Sequence, residues 1–349
     1  MMRRGVSTQD IIFANPCKSN ESIKRSKKLG IDLMTFDNEE ELIKIQTFFP
    51  EARLVLRIKV DDSESKVKLN LKYGADQECA EHLLKRAQEL NLNIIGIAFH
   101  VGSSCQSAQS YVDAIKTSRT VFNRALDMGF QLSLVDIGGG FPGCDIYYYN
   151  KSLKKSTEFD EIASVISKTL DEYYPETDLM IMAEPGRYYC ESAFTLIAKI
   201  LSKKYVKSND RKTVMYYLND GIYGSFSDGL VDGKTFKPLP LFDALHMRNI
   251  FNTTLWGPTC DSADCIRSDF EMPEMFVGEW LMFEDMGAYS LPYSEYGFNG
   301  MPSPKFKVFV SERAEKMLME RDFWPKIKSL LADSKWSDIY CEKVWYQMG

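Results

Sequence analysis

Residues 132–143 read L-S-L-V-D-I-G-G-G-F-P-G, an apolar strand that runs into three consecutive glycines, Gly138, Gly139 and Gly140. Glycines at the end of a buried strand leave uncrowded backbone N–H groups, which can hold a phosphate without a charged side chain. The spacing is not the G-x-G-x-x-G of a dinucleotide fold, Pro142 interrupts a following helix, and no Gly-Lys-Ser/Thr ending is present. The stretch therefore indicates either a phosphorylated ligand other than a dinucleotide or only a tight turn.

The same alternation of strand and helix recurs along the first two thirds of the chain. Short β-branched runs alternate with segments whose apolar residues recur at i, i+3 and i+4, as in amphipathic helices. The predicted strands are 11–14, 33–36, 54–58, 94–101, 132–137 and 179–183, and the predicted helices include 79–90, 111–128 and 159–173. Apolar strands joined by helices predict an α/β fold with a covered parallel sheet.

Polar residues follow three of these strands, at 100–103, 138–140 and 184–187. A (β/α)8 barrel builds its site at this end of its strands. We count six strand–helix units where a closed barrel has eight, so the sequence predicts an incomplete TIM-like barrel over residues 1–194.

The pattern changes after about Phe194. Runs of mixed character, separated by loops that contain Gly or Pro, predict a mostly antiparallel β domain over residues 195–349. Its predicted strands include 214–218, 278–283 and 305–310, and its end, from Arg313 to Trp336, is predicted to be helical.

Composition excludes several classes of function. The formal net charge of −6 argues against nucleic acid or an anionic membrane as a partner. No apolar run approaches the ~18 residues that span a bilayer, and the start of the chain lacks the apolar core of a signal peptide. Three histidines argue against a metal site, and eight cysteines without metal or disulfide spacing indicate reduced thiols. We therefore expect a cytoplasmic protein that binds a small molecule.

The segment A-E-P-G-R-Y-Y at 183–189 places Glu184 and Arg187 directly after the last predicted barrel strand. A surface salt bridge is the common fate of such a pair. Alternatively, the Arg187 guanidinium binds a phosphate and Glu184 faces a ring nitrogen that must stay protonated, as in enzymes that use pyridoxal 5′-phosphate (PLP). His100 could stack on such a ring, or it could be a hydrogen-bonded core histidine.

A second motif, W-G-P-T-C-D at 256–261, contains Cys260 beside Asp261. A cysteine in such a loop is often only buried sulfur. A neighbouring carboxylate raises the pKa of a thiol, so Cys260 could instead serve as a proton donor.

Together the motifs H-V-G-S, D-I-G-G-G-F-P-G, A-E-P-G-R-Y-Y, W-G-P-T-C-D and M-G-A-Y resemble eukaryotic ornithine decarboxylases and their relatives, the antizyme inhibitors. The similarity extends from about Gly5 to about Phe309. It implies a PLP fold of type III, a barrel followed by a β domain, and a homodimer whose active sites are shared across a head-to-tail interface.

The resemblance also implies roles for residues that match the motifs. Those expected to hold the PLP phosphate or lie beside it are Ser103, Gly138, Gly139, Gly140, Gly186, Arg187 and Tyr289. Glu184 would pair with the pyridine nitrogen, and His100 would stack on the ring. Cys260 would protonate the carbon that loses CO₂. Asp232 and Asp261 would bind the distal ammonium of ornithine, and Tyr223 and Phe298 match positions that line the shared site.

One part of the family pattern is missing from this sequence. The family's lysine that binds PLP covalently lies in an A-V-K-C-N-like segment early in the barrel, and no such segment is present. Lys72 matches a different lysine of the family and is not a substitute. We expect a chain truncated at its N-terminus, with the missing lysine encoded upstream of Met1.

Three functions remain open at this point. The first is a truncated ornithine decarboxylase that makes putrescine for polyamine biosynthesis. The second is a non-catalytic, antizyme-binding protein, for which the basic segment Lys18, Lys24, Arg25, Lys27 and Lys28 would be the contact; such a run is more commonly a solvated helix face. The third is a decarboxylase of lysine or arginine, although Asp232, Cys260 and Asp261 favour ornithine.

Overall fold

The computed structural model describes residues 2–143, 146–149, 152–155, 159–208, 211–241, 247–295, 297–310, 316–317, 319–320 and 339–341. The chain divides into two compact units, Met1–Ser294 and Glu295–Gly349. Both large sheets described below belong to the first unit, whereas the boundary proposed at residue 194 stays a prediction.

Ten strands precede residue 183 in the described part of the first unit. They are β1 (Ile12–Phe13), β2 (Leu33–Phe36), β3 (Arg53–Arg57), β4 (Ser65–Val67), β5 (Asn93–Ala98), β6 (Ser103–Cys105), β7 (Leu134–Asp136), β8 (Ile146–Tyr149), β9 (Ser152–Lys155) and β10 (Met180–Met182). Strands β1, β2, β3, β5, β7 and β10 form one parallel sheet in that order. This sheet confirms the six predicted units. β5 ends at Ala98, three residues before the predicted end at residue 101.

Helices connect these parallel strands, and several begin at a polar cap. They are α1 (Asn20–Leu29), α2 (Glu39–Phe48), α3 (Gln77–Glu89), α4 (Ala108–Asp127) and α5 (Phe159–Tyr173). The side chains of Ser19, Asn38 and Asp76 each accept a hydrogen bond from a backbone N–H in the first turn of α1, α2 and α3. The three predicted helices are confirmed, although α3 and α4 begin earlier because their polar first turns carry no apolar period.

The core lies between the parallel sheet and these helices. Leu54, Leu56 and Ile97 on the sheet, and Leu42 and Leu84 on the helices, are almost wholly buried. Burial of each such side chain contributes about 1.5–3 kcal/mol, so this core fixes the positions at which the strands end.

A second sheet follows in the same unit. Its strands are β11 (Leu196–Ser208), β12 (Arg211–Leu218), β13 (Leu239–Pro240), β14 (Ile250–Trp256), β15 (Cys265–Pro273) and β16 (Trp280–Phe283), and two short helices, α6 (Gly186–Cys190) and α7 (Ser227–Val231), precede and interrupt them. The spatial order is β13-β16-β11-β12-β14-β15, and each described pair is antiparallel except β12 with β14. This confirms the predicted, mostly antiparallel β domain. Its core includes Tyr216, Phe226 and Phe283.

The second compact unit contains β17 (Val308–Val310), which pairs in parallel with β18 (Ile339–Cys341). The predicted strand 305–310 is confirmed in its last part. Apart from 316–317 and 319–320, the predicted helical segment 313–336 lies outside the described residues. Within those described, no helix is both long and apolar enough to cross a membrane.

Candidate functional site

A pocket of about 200 Å³ lies at the carboxyl ends of β5, β7 and β10. Residues that follow these parallel strands form one wall, and residues from the mixed-sheet region form the other. The lining residues are Val67, Leu69, His100, Ser103, Gly140, Phe141, Glu184, Gly186, Arg187, Asp232, Tyr289 and Tyr293. The structure therefore brings together eight of the residues predicted from the sequence.

The glycine triplet forms the back of this pocket. Gly138 and Gly140 have φ of 65° and 102°, and a Cβ at either would approach a backbone oxygen to 2.1 or 2.5 Å, so no larger residue fits. The N–H of Gly138 donates to the Asp136 carboxylate (2.9 Å), so it is already engaged inside the protein. Of the three glycines it is Gly140 that lines the pocket.

Gly139 makes room for a neighbouring side chain, and its predicted role beside a phosphate stays a prediction. A Cβ there would lie 2.8 Å from the Nε2 atom of His100 and 2.8 Å from the Glu184 carbonyl oxygen. The absent side chain therefore allows the imidazole to lie against the backbone of the triplet.

His100 is a neutral, partly buried imidazole. Its Nδ1 accepts a hydrogen bond from the N–H of Gly102 (3.0 Å), which leaves the ring proton on Nε2. Burial, together with the positive charge of Arg57, lowers the pKa of His100 to about 4. At neutral pH the pocket therefore presents an uncharged ring on this side.

Glu184 and Asp136 form a hydrogen-bonded pair of carboxyl groups below the pocket. Burial raises the pKa of both groups, that of Asp136 to about 8, and the Arg57 guanidinium opposes the rise. Glu184 lines the pocket, whereas Asp136 is 1% exposed behind it. Sequence reasoning missed Arg57 and Asp136, although each ends a parallel strand at the edge where such sites form.

Arg187 is a buried cation that lines the pocket. Its side chain is 6% exposed and forms ion pairs with Glu191 (3.0 Å), Asp228 (3.6 Å) and Asp232 (3.1 Å). The guanidinium also lies 4.7 Å from the ring centre of Tyr289, and its Nε donates to the Ser103 hydroxyl at 3.4 Å. This arrangement is not the exposed salt bridge that was the alternative prediction.

Sequence reasoning did not single out Glu191 or Asp228. It singled out Asp232 as a ligand of the substrate ammonium, not as a partner of Arg187. Glu191 also binds the ammonium of Lys234 (2.9 Å), and burial raises the pKa of Asp228 to about 7. Glu191 lies one helical turn after Arg187. That i, i+4 spacing was the available signal in the sequence.

Cys260, Asp261 and Tyr223 lie outside the pocket-lining set, in a cluster of their own. The Asp261 carboxylate accepts hydrogen bonds from the N–H of Ala263 and from the Tyr223 hydroxyl. Both bonds lower the pKa of Asp261, and the bond from Ala263 has the larger effect. Cys260 is exposed and Asp264 accepts the N–H groups of Thr259 (3.0 Å) and Ile222 (2.9 Å), which ties the loop to the neighbouring turn. Within one chain these side chains therefore do not complete the pocket.

Neither Phe298 nor Lys72, the lysine that the sequence analysis set aside, is among the described residues that line the pocket. Phe298 belongs to the second compact unit and is 40% exposed. Lys72 lies over the ring of Tyr73 (4.9 Å) and is not one of the pocket-lining residues.

The basic segment divides into buried and exposed residues. Lys24, Arg25, Lys27 and Lys28 are exposed on α1, as expected. The prediction that Lys18 belongs to the same contact surface is wrong, because its ammonium is buried and forms an ion pair with Glu41 (2.9 Å).

The pocket has the chemistry of a site for a planar, phosphorylated heterocycle. A buried guanidinium, a serine hydroxyl and a glycine turn line it and suit a dianion. A carboxyl group in the same lining suits a protonated ring nitrogen, and a neutral imidazole suits the face of a planar ring.

Sequence comparisons agree with this description of the pocket. The family described as "Pyridoxal-dependent decarboxylase, pyridoxal binding domain" matches residues 1–191, and the one described as "Pyridoxal-dependent decarboxylase, C-terminal sheet domain" matches residues 146–287. Antizyme inhibitor 2 of Xenopus laevis is 44% identical over 305 residues, 85% of this chain and 65% of that protein. Ornithine decarboxylase of Mus musculus is 40% identical over 338 residues, 93% of this chain and 71% of the enzyme. The chain thus spans about two thirds of the length of these relatives.

Solved structures show the same architecture. The arginine decarboxylase of Paramecium bursaria Chlorella virus, bound to agmatine, superposes with a TM-score of 0.78 at 32% identity, over 86% of this chain and 79% of that one. The lysine/ornithine decarboxylase of Vibrio vulnificus, complexed with putrescine, superposes with a TM-score of 0.72 at 30% identity, over 86% of this chain and 75% of that one.

Proposed function

Because this chain belongs to the family of pyridoxal-dependent decarboxylases, we propose that it forms the cofactor and substrate pocket of an ornithine decarboxylase, which converts L-ornithine to putrescine. The observation that carries the proposal is the pocket itself. A single cavity is lined by Arg187, Ser103, Glu184 and Asp232. The curated relative from mouse supports ornithine as the substrate.

The pocket residues fit PLP. Ser103, Gly140, Gly186, Arg187 and Tyr289 would hold its phosphate, and the tight Gly138–Gly140 turn allows the close approach that a side chain would block. Glu184 would accept a hydrogen bond from the ring nitrogen, and the neutral His100 ring would cover one face of the cofactor. PLP supplies an electron sink that stabilises the charge left on the substrate when CO₂ departs.

Asp232 is the proposed anchor for the distal ammonium of the substrate. Its carboxylate lines the pocket and lies 3.1 Å from an Arg187 nitrogen. A charge-assisted hydrogen bond of this kind contributes roughly 1.5–3 kcal/mol. A phosphate on Arg187 would compete with Asp232 for the guanidinium and leave this carboxylate available to a cationic substrate.

The second carboxylate and the proton donor would come from another copy of the chain. Asp261 and Cys260 lie on a loop outside the pocket of their own chain, so their proposed roles in substrate binding and in protonation at carbon require a homodimer. A cytoplasmic location for this dimer is part of the proposal.

Binding of product diamines tests the choice of substrate. In the presence of PLP we expect putrescine to bind about tenfold or more tightly than cadaverine, because an extra methylene in a closed pocket costs ~1–3 kcal/mol. Calorimetric titration with putrescine, cadaverine and agmatine measures the preference, and Asp232→Asn should weaken all three. Tighter binding of cadaverine or agmatine would assign the chain to lysine or arginine instead.

Turnover is a separate measurement. No lysine is among the residues described as lining the pocket, so we expect residues 1–349 with PLP to release no labelled CO₂ from ornithine. Measurable release would contradict this expectation.

A second candidate function is binding of antizyme without catalysis. The identity of 44% to an antizyme inhibitor and the exposed basic residues of α1 favour it. The antizyme-inhibitor pattern tends to lose the arginine after E-P-G and the glycine after H-V, and this chain keeps both, as Arg187 and Gly102. Their retention, together with that of Tyr289, favours the decarboxylase.

A further inference from the structure

Asp136 is a buried carboxyl group to which the proposed reaction assigns no role. It ends β7, the strand that precedes the glycine triplet, and only 1% of its surface is exposed. It lies in register with Met182 on the neighbouring strand β10, two residues before Glu184.

Three hydrogen bonds join Asp136, Gly138 and Glu184 into a ring. The N–H of Gly138 donates to Oδ1 of Asp136 (2.9 Å), and the N–H of Glu184 donates to the carbonyl oxygen of Gly138 (2.7 Å). The carboxyl groups of Asp136 and Glu184 form the third bond. This ring fixes the Glu184 side chain relative to the glycine turn.

A hydrogen bond between two carboxyl groups requires a proton on one of them, since ionised carboxylates only accept. Oδ1 of Asp136 already accepts from Gly138, so its other oxygen is placed to carry that proton toward Glu184. Glu184 lines the pocket and must accept a bond from a protonated ring nitrogen. Both demands are met when Asp136 is the neutral member.

We propose that Asp136 is a positioning residue that stays protonated at neutral pH and donates its proton in a hydrogen bond to Glu184, which keeps Glu184 ionised and directed at the ring nitrogen of a bound pyridine cofactor. The inference deepens the proposed function and rests on its cofactor. No proton is transferred when the ring binds. One proton stays on the Asp136 carboxyl group, and another stays on the ring nitrogen.

The groups that face the pair support this assignment. Burial raises the pKa of Asp136 to about 8, whereas the Asp136 hydrogen bond opposes the rise for Glu184. The positive charge of Arg57 acts on both carboxyl groups. The negative charge of Asp37 acts in turn on Arg57. His100, whose pKa burial and the charge of Arg57 lower to about 4, stays neutral. With Asp37 and Glu184 ionised, Arg57 already faces two negative charges, so a third on Asp136 would be unfavourable.

The test uses Asp136→Asn, because an amide has the shape of a protonated carboxyl and keeps both hydrogen bonds. Pyridoxine 5′-phosphate serves as the probe, since it has no aldehyde to react with surface lysines, and calorimetry gives its affinity for the full chain. At pH 7 we expect the variant to bind within about twofold of the native protein and Asp136→Ala to bind at least about tenfold more weakly, as expected for loss of a hydrogen bond to a charged group.

The pH profile separates this role from a purely structural one. Above pH 8 Asp136 ionises beside Glu184, so the affinity of the native protein relative to Asp136→Asn should fall by up to about tenfold per pH unit. The titration of the probe cancels in this ratio. A ratio that stays constant from pH 6 to 9.5, or a tenfold loss in Asp136→Asn at pH 7 with unchanged circular dichroism, would overturn the inference.

A measurement on the native chain covers the case in which a variant does not fold. The infrared band of a protonated carboxylic acid should have a component that persists to about pH 8 and disappears above it, distinct from Asp228, whose pKa burial raises only to about 7. The absence of a component that titrates near pH 8 would contradict the proposal. Failure to bind the probe at any pH would overturn the inference and the cofactor assignment together. Intact probe binding without a preference for putrescine would overturn only the proposed substrate.

Discussion

Arg187 is a buried cation with three carboxylate partners: Glu191 lies one helical turn after it, and Asp228 and Asp232 lie together on and just after α7. Sequence reasoning identified Arg187 itself but left a surface salt bridge open as the alternative. The burial and the ion pairs decide against it. In the proposed function, a phosphate that took the place of Asp232 on this guanidinium would free the carboxylate, so the proposed cofactor and substrate sites would share one cation.

Removal of the Arg187 side chain should lower the free energy of unfolding much more than removal of an exposed cation. Arg187→Ala leaves the buried carboxylates of Glu191 and Asp228 with fewer partners, and we expect the free energy of unfolding to fall by about 3–5 kcal/mol. Urea titration measures the change. The matched control is Lys27→Ala, which removes an exposed pair with Glu51 and should cost under about 1 kcal/mol. Equal losses in the two variants would contradict the buried network.

Helix α1 has one buried face and one exposed, basic face. Ile23 and Ser26 are buried, whereas Lys24, Arg25, Lys27 and Lys28 are exposed, so the helix presents one basic surface to solvent. Some of that charge is already partnered, because Lys27 pairs with Glu51 and Lys24 lies over the ring of Phe48 (4.5 Å). Lys18, which precedes the helix, belongs to the core instead.

If α1 is the surface that contacts antizyme, the positive charges of its exposed residues should be required for antizyme to bind. We expect immobilised antizyme to retain the native chain and to lose the variant in which Lys24, Arg25, Lys27 and Lys28 are all changed to Glu. Lys85→Glu, an exposed lysine on α3, is the control and should bind normally. A native chain that is not retained would count against the antizyme-binding function, and retention of the fourfold variant would exclude α1 as the contact.

At the scale of the whole molecule, the site residues fall into two groups. His100, Glu184, Arg187 and Asp232 line one pocket, and Cys260 and Asp261 belong to a separate loop cluster. A head-to-tail homodimer reconciles the two groups, because the loop of one copy would then enter the pocket of the other.

Mixing of two variants tests this arrangement. Asp232→Asn and Asp261→Asn should each bind putrescine poorly alone in the presence of PLP. In an equal mixture, random dimers restore about a quarter of the sites, because each mixed dimer contains one native site. Calorimetry counts the sites, and sedimentation confirms the dimer. No recovery in a dimeric mixture would mean that Asp232 and Asp261 do not share a site.

The residue pattern along the chain was enough to predict the six strands of the parallel sheet, the mixed β region and most of the segments that supply the pocket, but not the segment of Val67 and Leu69. Apolar periodicity and glycine turns are local properties, so 33–36, 159–173 and the glycine triplet could be located from adjacent residues alone. Only the tertiary structure showed that Asp136 bonds to Glu184, that Gly139 makes room for His100 and that Lys18 is buried. Each of these depends on which residues from distant segments meet in the core, and burial there, rather than spacing along the chain, sets the charge and the partners of each group.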